Sequence, residues 1–497
     1  MAFENSQAFN TESRRLEKTE QFENMAKVEV SLDSLIKRVV SVKGQARVVS
    51  LEKNGSSLTI NGKTNYQVVY QTENNELSSV FAESDWQQKT EHAGDNPYVE
   101  LCVMENVVTG SSSTEIAVSS LIKYDVYDIH SEKIEPVENL SEDYVLKQVE
   151  NDFYRVVNQV NQTLNEVGEV EQAGKVSSVL NYTGDVRLKN VSAGIDSLTF
   201  EGEVLVCVDA VADGGIISFN KVVDFKEEVA CLSALPNHLV DCDLSLAGLK
   251  VTASVNETDM KTTFVIAIML NASAVVYSKE TNSVVLDVFS TEKNIETITE
   301  CVLSNSYVGQ TQSMQSFAHN VELAENIESV KFVTDKKAYV TDVENMEDAC
   351  LVKGNVEVKF VGQTENQDYK EYTVFVPFQT ETQGCSADDR FDVSLDIKSM
   401  KLKGENEVEF SGELYVSAKM YKQEYITYVS SITETEPKEK SDAGIKVLVT
   451  RQGEDLFAVS KALSLRPEVV LMQNPDLEDN IEANTKIVVY SALDASF

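Results

Sequence analysis

The chain has 497 residues, several times the usual domain size of about 100–150, so three or four folded units are expected. Its 42% apolar and 25% charged residues, with only 21 glycines and 7 prolines, exclude a long disordered or collagen-like polymer. Against 43 basic residues stand 81 acidic ones, and the resulting net charge of −38 repels phosphate backbones and anionic lipid, which argues against nucleic-acid and membrane partners.

Residues 1–27 carry acids from Glu4 onward and no apolar h-region, so they are read as a polar segment and not as a secretory signal. No stretch reaches the about 18 continuous apolar residues of a membrane span, and residence in the cytoplasm without membrane insertion is the expectation. From there the period is two. Leu58, Ile60, Gly62, Thr64, Tyr66 and Val68 alternate with polar neighbours, and the strand runs on to Tyr70, as strands with one wet face do.

The same strand recurs around Gly202 and Gly354. Each time a polar loop follows, at residues 73–76, 212–215 and 363–368, and then a strand carrying Asp85-Trp86, Asp224-Phe225 or Pro377-Phe378. A third strand follows at 99–103, 244–246 and 393–397, and a last one closes near Tyr127, Tyr277 and Tyr421. The spans from glycine to tyrosine are 65 (127 − 62), 75 (277 − 202) and 67 (421 − 354) residues, which marks three copies of one unit. The reading is of β repeats at 28–130, 173–279 and 327–430, with connectors at 131–172 and 280–326. Within 143–166, Val145, Val149, Phe153, Val156, Val157, Val160 and Leu164 fall at helical spacing, so the first connector is expected to hold a helix.

Residues 431–444 are rich in Thr, Glu, Lys and Ser and are read as a flexible linker. Beyond it, within 445–492, a strand at 445–450, a turn at Gly453, helices at Leu456–Leu463 and Pro467–Gln473 and a closing strand at Lys486–Tyr490 give the order βααβ. The fold class is therefore mainly β: three tandem antiparallel β-sandwich-like repeats with short helical connectors, plus a small α+β domain.

Reaction chemistry has no clear carrier. Seven cysteines are odd in number and form no CxxC pair, which suits reduced thiols acting as small apolar residues. His92, His130, His238 and His319 have no second ligand at metal spacing, so no metal or cofactor is expected. Neither a nucleophile elbow nor a phosphate-binding loop occurs, and Gly214-Gly215 is read as a hairpin turn. Asp241-Cys242-Asp243 is too short for a calcium site and is read as a solvated loop. Trp86, matched by Phe225 and Phe378, is read as a core position.

The C-terminal unit resembles a LysM domain. The resemblance rests on Val447 and Val449, on Gly453-Glu454-Asp455-Leu456 where the family has Gly-Asp-Thr-Leu, and on Phe457, Asn474-Pro475 and Ile487-Val488-Val489. It departs at Glu454-Asp455 and at Asn484-Thr485, where the family has a Pro-Gly turn. LysM domains hold N-acetylglucosamine glycan between two loops, which here are Gly453, Glu454, Asp455 and Leu456, and Asn474, Pro475 and Asp476.

The upstream repeats resemble the SPOCS domain of clostridial sporulation proteins, most closely where Val352-Lys353-Gly354-Asn355-Val356-Glu357-Val358 leads to Val376-Pro377-Phe378. The connector Asp287-Val288-Phe289-Ser290 is similar to that family's linker. The resemblance implies a non-enzymatic spore-coat adaptor at the forespore surface in the mother cell, with coat morphogenetic proteins as partners. In the related proteins the LysM unit docks onto the coat-basement ATPase. The other readings are a peptidoglycan-binding protein of cell wall or cortex and, more remotely, a carbohydrate hydrolase. Exposed edge strands offer self-association, which the charges on their wet faces oppose.

Overall fold

The structure is a computed structural model. It describes residues 9–11, 16–92, 97–129, 132–135, 137, 140–213, 215–256, 258, 260–438, 444–477 and 481–490.

After the short strand β1 (Phe9–Thr11) come six long strands: β2 (Leu16–Ser31), β3 (Ile36–Asn54), β4 (Ser57–Thr72), β5 (Leu77–Glu91), β6 (Pro97–Ser111) and β7 (Glu115–Ile129). They form two antiparallel three-stranded sheets, β3-β4-β5 and β2-β7-β6, and the apolar faces of both enclose one core. Then β8 (Glu132–Ile134) pairs with β1. The strand order recurs in β9 (Tyr144–Ala173), β10 (Val176–Ala193), β11 (Ser197–Ala212), β12 (Gly215–Ala230), β13 (Leu239–Asn256) and β14 (Lys261–Ser290), as sheets β10-β11-β12 and β9-β14-β13. It recurs again in β15 (Lys293–Glu322), β16 (Ser329–Asn345), β17 (Ala349–Gln363), β18 (Tyr369–Gln383), β19 (Arg390–Lys403) and β20 (Glu407–Pro437), as sheets β16-β17-β18 and β15-β20-β19.

The three glycines occupy the same register. Gly62 pairs with Trp86, Gly202 with Phe225 and Gly354 with Phe378 across the central and last strands of each sheet. Each ring lies over its glycine, where a Cβ would come within 2.0 Å of Trp86, 2.5 Å of Phe225 or 2.5 Å of Phe378. On the opposite side a register shift follows at once, between Val48 and Ser50, Leu188 and Asn190, or Val340 and Asp342. A missing side chain, a bulge and a covering aromatic bend the strand without opening a void. At the β11–β12 turn Ala212 pairs with Gly215, and Asp213 takes φ 47°, as a two-residue hairpin requires.

The three units close into a ring. Phe81 stacks on Tyr182 at 4.9 Å between the first and second units. Arg187 lies 3.4 Å above the Tyr415 ring between the second and third. Lys43 pairs with Asp335 at 3.1 Å, and Lys337 donates to the Val103 carbonyl at 3.2 Å, between the third and first. On the axis Val40, Val69, Leu77, Leu180, Phe332 and Val361 form a small core to which every unit contributes.

One polar residue sits in this junction. Seven positions beyond the glycine the first and third units have Val69 and Val361, whereas the second has Asp209, only 5% exposed. Its carboxylate accepts from Asn181 Nδ2 at 2.8 Å and Ser218 Oγ at 2.6 Å. Asn181 also donates to the Val333 carbonyl at 2.7 Å and accepts from Gln67, so one network spans all three units.

Burial pushes the Asp209 carboxyl up from 3.8 to about 6, against the pull of its hydrogen bonds to Ser218 and Asn181. A raised acid favours the folded state most when protonated. Its contribution is therefore complete below pH 3.8 and disappears as pH rises through about 6. Asp209→Asn should flatten the stability profile across this window, measured by denaturant unfolding at stepped pH. An unchanged profile would assign the pH dependence to other groups.

The connectors differ from expectation. Residues 143–166 do not form a helix: from Tyr144 on they lie in β9, which pairs with β14 from Ala173 opposite Lys261 to Tyr144 opposite Ser290. The apolar residues of this stretch are mainly valines, which suit a strand. A register shift at Val157 moves the alternation by one residue, and this produced the apparent helical period. Of residues 280–326, the stretches 280–290 and 293–322 likewise belong to β14 and β15. The 431–444 stretch is not a linker throughout, because β20 runs to Pro437 and pairs it with Lys293. Residues 16–27 are no polar prelude but most of β2.

Beyond the ring, β9 with β14 and β15 with β20 continue as two ribbons packed through Val285, Val288, Val429 and Ile432, and through Phe153, Val284, Ile426 and Tyr428. At about 3.3 Å per residue, the pairing of β14 from Tyr277 to Ser290 makes a stalk of about 40 Å. The chain ends in β21 (Ile445–Val449), α1 (Leu456–Leu463), α2 (Pro467–Gln473) and β22 (Lys486–Tyr490), around Val459, Leu463, Val470, Ile487 and Val489. Among the described residues no helix is long and apolar enough to cross a membrane.

Candidate functional site

The first loop expected to bind a ligand is built for a turn and a helix start. Gly453 takes φ +86°, which its missing Cβ permits. Glu454 accepts from the Arg451 backbone N–H at 2.9 Å. Asp455 caps α1, its carboxylate accepting from the Ala458 N–H at 2.8 Å. Leu456 packs against the core of the unit.

The same loop meets the tip of the stalk. Asp455 Oδ2 lies 2.5 Å from Lys147 Nζ on β9, and this hydrogen bond, more than the one from Ala458, holds its carboxyl below the usual range despite partial burial. Phe457 meets Phe289 edge to face at 5.3 Å. Lys461 donates to both Asp287 oxygens at 2.7 and 2.8 Å. Lys438 donates to the Ser290 carbonyl at 2.7 Å and to Ser464 Oγ at 2.8 Å, tying the stalk end to the end of α1. Arg466 reaches the Glu142 carbonyl. Partly exposed ion pairs contribute little singly, so the aromatic pair and the shared desolvation carry most of this contact.

The second loop behaves differently. Asn474 turns inward: its Nδ2 donates to the Val470 and Val488 carbonyls at 3.0 Å each, and its Oδ1 accepts from the Val488 N–H at 3.1 Å. It therefore locks α2 to β22. Pro475 and Asp476 remain exposed. Of the seven expected contact residues, these two and Gly453 are the exposed ones.

Sequence reasoning missed Lys147, Asp287 and Phe289 as contacts of this unit. The Asp287-Val288-Phe289-Ser290 stretch was visible as a motif, yet its target lies more than 160 residues away (457 − 289 = 168). With α1 turned to the stalk, the outer face of β21 and β22 shows Ile445, Val447, Val449 and Tyr490 to solvent at 53–61% exposure.

The remaining expected residues fall into structural places. Asp241-Cys242-Asp243 is not a solvated loop but part of β13: Asp241 is wholly buried and takes Lys419 Nζ at 2.9 Å, while Asp243 takes it at 2.6 Å. A strand facing a neighbouring unit has no wet side, and the lysine neutralises the acids. His92 is buried, the Nδ1 of His238 accepts from the Leu235 N–H at 3.2 Å, and His319 stacks against Phe317; His130 lies outside the described residues. Among the described residues, no three His, Cys, Asp or Glu side chains stand together as metal ligands. No protein-family model matches this chain, and no curated protein sequence matches it.

Proposed function

We propose that this protein is a non-enzymatic structural adaptor of the spore-coat type, in which three SPOCS-like repeats form the body and a LysM-like unit meets partner proteins at the forespore surface. One observation carries this reading: the C-terminal unit sits at the far end of a stalk about 40 Å long, away from the ring. Such a spacer holds two different surfaces at a set distance. Its ring offers contacts to coat proteins, and repeated weak contacts become strong when tethered.

The alternative, a glycan-binding protein of wall or cortex, is favoured by the exposure of Pro475 and Asp476 at the second loop. The engagement of Asp455 and Phe457 with the stalk weighs against it. Deleting 445–497 should abolish recruitment of a fluorescent fusion to the forespore while the truncated chain stays folded by circular dichroism. Normal recruitment would move docking to the ring. Retention of the full chain on purified peptidoglycan, lost on the same deletion, would favour the glycan reading.

A further inference from the structure

Cys350 and Cys385 come together at the base of the third unit. Cys350 is the second residue of β17 and pairs in register with Thr382 on β18. After Gly384, which turns the chain at φ +72°, Cys385 folds back over that pair. The Cys350 thiol donates to the Cys385 carbonyl at 3.0 Å and the Cys385 thiol donates to the Thr382 carbonyl at 3.1 Å, which sets the two side chains beside each other. We propose that Cys350 and Cys385 form a two-thiol oxidation site that a peroxide converts into an intrachain disulfide.

Access sets the order of events. Cys350 is fully buried and Cys385 half-buried, so the oxidant meets Cys385 first. The Cys385 sulfur attacks one peroxide oxygen and the O–O bond breaks; sulfenic acid forms, and the departing hydroxide takes the thiol proton as water. The Cys350 sulfur then attacks the sulfenic sulfur and expels its hydroxide, which takes the Cys350 proton as a second water. Two thiols lose two electrons, and one hydrogen peroxide becomes two waters. Burial raises both thiols, Cys350 to about 12, so little thiolate exists at neutral pH and the reaction accelerates as pH rises.

The bond would fix the turn that starts β19. In this turn Asp389 accepts from the Ser386 N–H at 2.7 Å and the Tyr421 N–H at 2.9 Å, and Asn345 accepts from the Ala387 N–H at 2.7 Å. Next comes Arg390, which meets Glu100 of the first unit at 3.2 Å and Asp243 of the second at 3.9 Å. The site therefore lies under a corner where all three units touch.

The test uses the full chain with exposed Cys102 and Cys301 changed to serine, so that intermolecular bonds do not form. Treatment with hydrogen peroxide should lower the thiol count from five (7 − 2) to three, with a mass loss of about 2 Da and one linked peptide pair containing Cys350 and Cys385. Adding Cys385→Ser, at a half-buried position where a hydroxyl is tolerated, should abolish that loss while circular dichroism stays unchanged. The loss should be faster at pH 9 than at pH 7. Retention of all five thiols, oxygen addition without a linked pair, or a link between other cysteines would overturn the proposal.

Discussion

Lys419→Ala is expected to destabilise the chain by about 3–5 kcal/mol, because it takes the nearest positive charge from two acids at the junction, one of them wholly buried, and leaves Arg390, 3.9 Å from Asp243, as the remaining cation of the contact. Lys419 is 4% exposed, Asp241 is wholly buried, and the Asp243 side chain is 18% exposed. Tyr421 also donates to Asp241, at 3.1 Å, and cannot replace a charge. Burial alone would lower the lysine, but the two acids more than reverse this and raise it above 10.5. A raised lysine contributes fully below its unfolded value and loses that contribution as pH rises through the folded one. The pair therefore holds across the neutral range and weakens only in strong alkali. Urea unfolding measures the loss. A change below about 1 kcal/mol would mean that water reaches the pair as it does a surface pair. Replacing Lys419, Asp241 and Asp243 together by apolar residues of similar size should recover most of the loss, since a buried pair is costly mainly when broken.

The second large effect is expected at the glycine–aromatic pairs. Trp86→Ala, Phe225→Ala and Phe378→Ala should each cost about 3–5 kcal/mol, as removal of a large core aromatic does. The rings are 7%, 4% and 7% exposed and each belongs to the core of its own unit. Gly354→Ala should also destabilise strongly, and Phe378→Ala should not rescue it. The new Cβ would meet the Tyr339 carbonyl at 2.1 Å as well as the ring, and backbone held by the bulge has little room to move. At Gly202 the Arg187 carbonyl, 2.3 Å away, predicts the same outcome. Rescue of Gly354→Ala by Phe378→Ala, seen as a double mutant more stable than Phe378→Ala alone, would show that the ring and not the bulge demands glycine.

The strands that alternate cleanly were legible in the chain. In β18 buried and exposed residues alternate from Tyr372 to Gln383, and that period follows from a pleat with one face in water. Both helices of the C-terminal unit were readable to the residue, because helical spacing after the turn at Gly453 and Pro467 at a helix start are local signals. Spacing also placed the three glycines and their aromatics before their contact was known. Hidden instead were strands whose partner is remote: the shifted alternation of β9 imitates a helical period, and pairing with β14 along its length makes it a strand.

The candidate site divides in the same way. Gly453, Glu454, Asp455, Leu456, Asn474, Pro475 and Asp476 were identifiable as loop residues, and the capping role of Asp455 is a local property. What lies opposite them was not. Lys147, Asp287 and Phe289 arrive through the stalk, and the acids Asp209 and Asp241 become buried because separate units converge on them. By itself the sequence determined which strands alternate and where the helices begin, since these depend on neighbours within a few residues. Only the tertiary structure decided that the three units close into a ring, that the connectors extend as paired ribbons and that the last unit rests on their tip, because each depends on surfaces brought together from more than a hundred residues apart.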